Sequence, residues 1–215
     1  MFLSKENNIR WRLLTFATIV VFAFVLLGIF FFDAPFANFA IRFNWIGWKY
    51  FSGVFCAKNW LVMSFLAVVI FYARKILRSR EKMGIKEFIF KIKGGNAFFV
   101  FCSVFCAACV GAVAKFVIGR ARPVAEMGAD VFMPLTNDWL FNSMPSGHAL
   151  MSFAGLVMIG LLAPRAKWFT WSLAILIGAS RLFMGVHWLS DVVLGAFIGM
   201  VCADIVKHIL IKRFK

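Results

Sequence analysis

Charge is what this 215-residue chain has little of: 15% of its residues are charged, against 63% hydrophobic. A water-soluble domain carries roughly 25% charged and 45–50% apolar residues. The scarcity therefore excludes a soluble enzyme, and no polar stretch is long enough for a separate soluble domain. The charge present is lopsided, with 24 Lys and Arg against nine Asp and Glu, a formal +15. A nucleic-acid partner is excluded all the same, because the basic residues sit in short loops between apolar runs, as membrane topology requires. The five cysteines show no disulfide pattern; Cys102, Cys106 and Cys109 lie at helical spacing in one apolar run and read as packing residues. There is no Cys-x-x-Cys pair and no metal-ligand cluster, and no internal repeat or low-complexity linker.

What is there is a succession of apolar runs: 13–32, 60–72, 97–118, 147–163, 168–186 and 189–211. Each reads as a helix, although some are short for the roughly 20 residues of one bilayer crossing. The first is too long for a signal-peptide core and has no small-residue cleavage site after it, which makes it an anchor. The expected fold is all-α: one domain over residues 1–215, with six transmembrane helices. Residues 33–58, rich in aromatics such as Trp45, Trp48 and Tyr50, read as a segment lying along the membrane surface. Residues 74–93 hold eight Lys or Arg around Ile85, Phe88, Ile89 and Ile92, the pattern of a basic amphipathic helix on an anionic leaflet. The N-terminus, this loop, the 164–167 turn and the C-terminus are all basic, so the positive-inside rule makes that side cytoplasmic. The connection 119–146 and the turn 186–190 then face outward.

The polar residues of interest gather on that outer side in three pieces. The first is Lys115-Phe-Val-Ile-Gly-Arg-Ala-Arg122-Pro123. Lys115 and Arg122 are seven residues apart, two turns of a continuing helix, while Gly119 and Pro123 signal a helix end that brings both to one rim. Lys115 is costly inside an apolar run without a partner, whereas Arg120 reads as a cation reaching to the interface. The second piece is Pro145-Ser146-Gly147-His148. Ser146 is a helix N-cap, and His148 falls beside backbone N–H groups that lack internal partners, a ready anion site. A capped helix with a merely structural histidine is the plain alternative. The third piece runs from Ser180-Arg181 to His187 and Asp191. Four residues separate His187 and Asp191, so a carboxylate can fix the tautomer of one imidazole nitrogen and leave the other as nucleophile or base. Away from these pieces, Asp204 is expected to pair with a basic neighbour such as Lys207 or His208, and His208 to lie at the surface.

Taken in order, the three pieces resemble the signature of the type 2 phosphatidic acid phosphatase family: Lys-x6-Arg-Pro, Pro-Ser-Gly-His and Ser-Arg-x5-His-x3-Asp, matched here without a departure. The resemblance spans residues 115–191, and the six-helix layout extends it over nearly the whole chain. It implies a lipid phosphate phosphatase acting through a phosphohistidine. His187 would be the nucleophile, Asp191 its orienting carboxylate and His148 the general acid and base. Lys115, Arg122, Ser146, Gly147 and Arg181 would hold the phosphate. No cofactor and no metal are expected, because three fixed cations can neutralise the phosphate oxygens. The expected partners are a lipid phosphate substrate and the membrane. The expected location is a bacterial inner membrane, with both termini cytoplasmic and the site facing the periplasm or the outside. Undecaprenyl diphosphate and lipid A lead among the substrates. A lipid phosphotransferase using the same site, or a phosphatidylglycerophosphate or phosphatidate phosphatase, is the alternative.

Overall fold

The computed structural model describes residues 1–78 and 95–214. Most of the basic segment 74–93 therefore lies outside the described residues, and with it the expected amphipathic helix. Among the described residues the secondary structure is helical, with no strand: α1 (Trp11–Leu27), a π-helical turn (Gly28–Phe32), α2 (Asp33–Ala40), α3 (Ile46–Val54), α4 (Ala57–Arg78), α5 (Asn96–Ile118), α6 (Gly147–Leu162), α7 (Lys167–Phe183) and α8 (Leu189–Phe214). Four helical segments are long and apolar enough to cross a membrane: Trp11–Phe43, Ile46–Arg74, Asn96–Ile118 and Leu189–Arg213. The helices α6 and α7 are shorter, at 16 and 17 residues.

The core lies between α5, α6, α7 and α8. Val104 and Ala107 of α5 meet Leu150, Met151 and Ala154 of α6 and Cys202 of α8. Phe99, Val157, Met158, Ala203 and Val206 continue that seam toward the far end, and Leu156 packs on Ala174 and Ile177 of α7. The tightest contact is between α6 and α8, and its cause is a small-xxx-small pair on α8, Gly195 and Gly199. A Cβ at Gly199 would stand 2.4 Å from the Leu150 carbonyl oxygen, and one at Gly195 would stand 2.7 Å from that of Ser146. The two backbones thus approach as only side-chain-free positions allow. This fixes Ser146 and His148, at the start of α6, against Asp191, at the start of α8: the Ser146 N–H donates to the Asp191 carbonyl at 3.0 Å.

Helix α1 and its continuation differ from expectation. The helical path does not stop at Phe32; it runs on through the π turn and α2 to Phe43. Nor is the aromatic segment only a surface strap. Trp45 and Tyr50 are exposed, but Ala40 is fully buried against Ala149, Leu182 and Val192. Trp48 packs on Phe183 with ring centroids 5.1 Å apart, and Ser52 is buried. At the opposite end of the bundle, Asp204 takes the N-terminal ammonium as ion-pair partner at 3.0 Å and the Phe2 N–H as donor. His208 is half-buried and bonds the Asn7 carbonyl oxygen.

Candidate active site

All eight residues singled out in the sequence come together at one end of the bundle. They stand at the C-terminal ends of α5 and α7, the N-terminal ends of α6 and α8, and the loops between. Antiparallel packing makes this inevitable, since the end of each odd-numbered helix in this group adjoins the start of the next.

Helix α5 stops at Ile118 because Gly119 turns left-handed (φ 60°) and its N–H caps the Lys115 carbonyl. Lys115 and Arg122 therefore do not share a continuous helix face. The chain doubles back, and both converge on one acceptor, the Asn142 carbonyl oxygen, 2.6 Å from Lys115 Nζ and 3.1 Å from an Arg122 amine. Arg122 also donates from Nε to the Trp139 carbonyl at 2.9 Å and from its other amine to the Val186 carbonyl at 3.0 Å, and it lies over the Trp139 ring at 4.5 Å. These bonds fix the orientation of its guanidinium.

Helix α6 starts at Gly147, with Ser146 in the N-cap position. The Ser146 hydroxyl makes no capping bond; its oxygen is buried and has no partner among the described residues. Arg181 Nε is in the same condition. A buried polar atom without a partner costs about 1–3 kcal/mol, and a polar occupant of the site would offer both a partner. Arg181 is itself aimed from the far side by α3, donating to the Ser52 hydroxyl. Ser52 serves twice, because its carbonyl oxygen stands 3.3 Å from His148 Nε2. A carbonyl only accepts, so that nitrogen carries the hydrogen and Nδ1 of His148 is left for proton exchange.

His187 sits in the turn before α8 and is buried. Its Nε2 is 3.3 Å from an Arg122 amine, which can only donate to it. Its Nδ1 is 3.6 Å from Asp191 Oδ2. That is too long for a hydrogen bond, and it corrects the expected direct contact: the Asp191 oxygen is taken by the Ser143 hydroxyl at 2.5 Å and the Trp188 N–H at 2.9 Å. Ser143 bridges the pair, its oxygen 3.4 Å from Nδ1. Burial lowers the His187 pKa from its ordinary value to about 3; the Asp191 carboxylate opposes the shift, and the cations Arg122 and Lys115 add to it. The imidazole is thus neutral at physiological pH, with the Nε2 lone pair facing the cations.

Four residues at the site were not legible as such. Arg120, expected to reach the interface, is fully buried, 2.7 Å from Asp191 Oδ1 and 2.7 Å from Asp33 Oδ2. Asp33 carried one signal: it is the only acid between Glu6 and Glu81 and stands at the end of an apolar run. Such a charge needs a partner. Ser52 and Ser143 gave no signal.

Comparisons with known proteins bear on the family and the fold. A lipid A 1-phosphatase of Rhizobium johnstonii is 28% identical over 199 residues, 89% of this chain and 77% of that protein. An undecaprenyl-diphosphatase of Sulfolobus acidocaldarius is 35% identical over 95 residues; the match spans 43% of this chain and only 45% of the length of that relative. The crystal structure of Aquifex aeolicus LpxE shares the fold, with a TM-score of 0.54 and 21% identity, over 83% of this chain and 96% of that one. The PAP2 superfamily model matches residues 96–215, more than half of the chain and the range in which the three motifs lie, and the chain belongs to the PAP2 superfamily.

Proposed function

We propose that the chain is a membrane phosphatase that hydrolyses a lipid phosphate or diphosphate through a phosphohistidine. The observation that carries this is the pair of unpartnered buried atoms, Ser146 Oγ and Arg181 Nε, in a site that also holds Lys115, Arg122 and a neutral histidine. A phosphoryl group supplies the acceptor that Arg181 lacks and a partner for the Ser146 hydroxyl. With Lys115, Arg122 and the Gly147 N–H, these groups hold its equatorial oxygens and stabilise the charge that spreads over them.

His187 Nε2 attacks phosphorus in line, forming the P–N bond as the bond to the leaving lipid oxygen breaks. His148, entering the step protonated on both ring nitrogens, gives that oxygen its Nδ1 proton; the freed Nδ1 then takes one from a water whose oxygen attacks phosphorus, breaks the P–N bond and frees phosphate. Asp191, with Ser143 between, keeps Nδ1 protonated and balances the charge that His187 acquires. No step in this scheme requires a metal.

The topology proposed with it has six crossings by α1, α4, α5, α6, α7 and α8 of a bacterial inner membrane. Both termini are then cytoplasmic and the site opens to the periplasm, as the distribution of Lys and Arg supports. A lipid substrate reaches such a site from the bilayer. The relatives support lipid A phosphates and undecaprenyl diphosphate as first candidates, and the lipid A 1-phosphatase aligns over the larger share of the chain.

The test is phosphate release by detergent-purified protein, in EDTA, from lipid A, undecaprenyl diphosphate, phosphatidate and phosphatidylglycerophosphate. Release that survives EDTA and is lost in His187→Ala is expected, and the ranking of rates names the substrate. Release that requires added metal and survives the substitution contradicts the proposal.

A further inference from the structure

The motif residues all lie between Lys115 and Asp191, yet one of the buried charges at this end of the bundle comes from outside that stretch. Asp33 stands directly after the π-helical turn, 87 residues before Arg120. A π turn shifts the register of the side chains that follow it and recurs at functional sites. Here it turns Asp33 inward, where its carboxylate is almost wholly buried. Gly28 opens the turn, and a Cβ there would meet Ser190 Cβ at 3.0 Å and Asp33 Oδ1 at 3.4 Å. The carboxylate accepts from the Ser190 N–H at 2.9 Å, from the Ser190 hydroxyl and from Arg120.

Arg120 makes four hydrogen bonds. Its Nε donates to the Ala129 carbonyl at 2.8 Å; one amine donates to both Ser190 Oγ and Asp191 Oδ1 at 2.7 Å, the other to Asp33 at 2.7 Å. The Phe132 and Trp188 rings lie 5.8 and 5.6 Å from the guanidinium. Water is excluded, so these charges are poorly screened. One cation is shared between two carboxylates, and the buried cluster carries a net charge of −1. Without Asp33, Arg120 would cancel Asp191, and nothing in the cluster would answer the positive charge that His187 takes on when phosphorylated.

We infer that Asp33 is a positioning residue for the reaction: it holds Arg120 and keeps the cluster behind the nucleophile net negative, so that Asp191 can act on His187. Asp33 touches neither the phosphate groups nor His187; it works through Arg120. The N-terminal helices, which lie outside the residues matched by the family model, are then part of the catalytic apparatus and not only a membrane anchor.

Because this rests on the phosphohistidine reading, wild type is assayed first, with the substrate it releases phosphate from fastest. A wild type without phosphatase activity removes that reading and this inference with it. In an active wild type, Asp33→Asn keeps the shape and removes the charge. It is expected to lower kcat about 10- to 100-fold, the range set by a charge-assisted hydrogen bond, with KM within about twofold because the phosphate clamp is untouched. Quenched-flow labelling should place the loss in phosphoenzyme formation. Ser190→Ala, which retains both carboxylates and drops one hydroxyl, is expected to lower kcat by a smaller factor, about 3- to 10-fold, and it carries the test alone if Asp33→Asn does not fold. A folded Asp33→Asn with wild-type kcat overturns the inference, as does a loss that appears equally in KM. If only Ser190→Ala folds, a wild-type kcat in that variant overturns it.

Discussion

The two parts of this chain are built to different rules. In residues 95–214 the helices bury one another, the cores are continuous, and α6 and α8 meet backbone to backbone through Gly195 and Gly199. In residues 1–78 most large side chains face outward: Phe16, Ile19, Phe22, Phe30 and Phe31 on the first helical segment, and Val62, Met63 and Phe65 on α4, are all more than half exposed. Yet this outer layer sends two polar residues inward, Asp33 and Ser52, and each grips a residue of the motif region. The comparison teaches that reacting groups and the groups that aim them need not share a segment. Under the proposed function the C-terminal part carries the chemistry, while the N-terminal part contacts two of its arginines, Arg120 and Arg181.

Predictions follow from breaking one side of this comparison at a time. The largest loss is expected in the C-terminal part: His187→Ala removes the nucleophile, and kcat should fall by about 10⁴-fold or more in single-turnover assays. Arg122→Ala takes away one oxyanion contact and should cost about 10²–10³ in kcat, measured on the same substrate. On the N-terminal side, Ser52→Ala leaves the carbonyl that faces His148 but frees Arg181. A fall of about 3- to 30-fold is expected, visible in competition by inorganic phosphate because a clamp group has lost its aim. The smallest effect is expected at exposed Tyr50, where alanine should leave kcat within about twofold and thermal stability within about 0.5 kcal/mol.

Stability sharpens the contrast. Gly199→Val would place side-chain atoms in the α6–α8 contact, and overpacking of this kind costs about 1–3 kcal/mol or more; thermal unfolding in detergent should show it, whereas Ile19→Val on the outer layer should not. Acid should act on the same half. The folded-state pKa of His187 is lowered to about 3, below the roughly 6.5 of an unfolded histidine. The unfolded chain therefore binds the extra proton first as pH falls. The His187 contribution to stability is lost progressively from about pH 6.5 down to about pH 3. His187→Asn should flatten that dependence of the unfolding midpoint.

Much of the C-terminal part was legible in sequence. The apolar run 97–118 became Asn96–Ile118, and 147–163 became Gly147–Leu162, because Gly119 and the Pro145–Gly147 turn punctuate them unambiguously. The eight motif residues lie together because helix ends in an antiparallel bundle must. The support was less legible for physical reasons. The Arg120–Asp33 pair spans 87 positions, and no local pattern announces such a contact, so a buried arginine at a helix end looked like one reaching toward water. Asp33 signalled a need for a partner without saying which. Ser52 acts partly through its backbone carbonyl, which side-chain identity does not encode. Continuation of the first helix past Phe32 was hidden by Asp33 itself, a charge that reads as an end until its buried partner is known.

The central claim, that His187 carries the phosphoryl group, is tested most directly by rapid acid-free quench of the enzyme with ³²P-labelled lipid phosphate. The account predicts protein-bound label that is stable to base, labile to acid, present in wild type and absent in His187→Ala. Label of the opposite stability, or label that persists in His187→Ala, would contradict it.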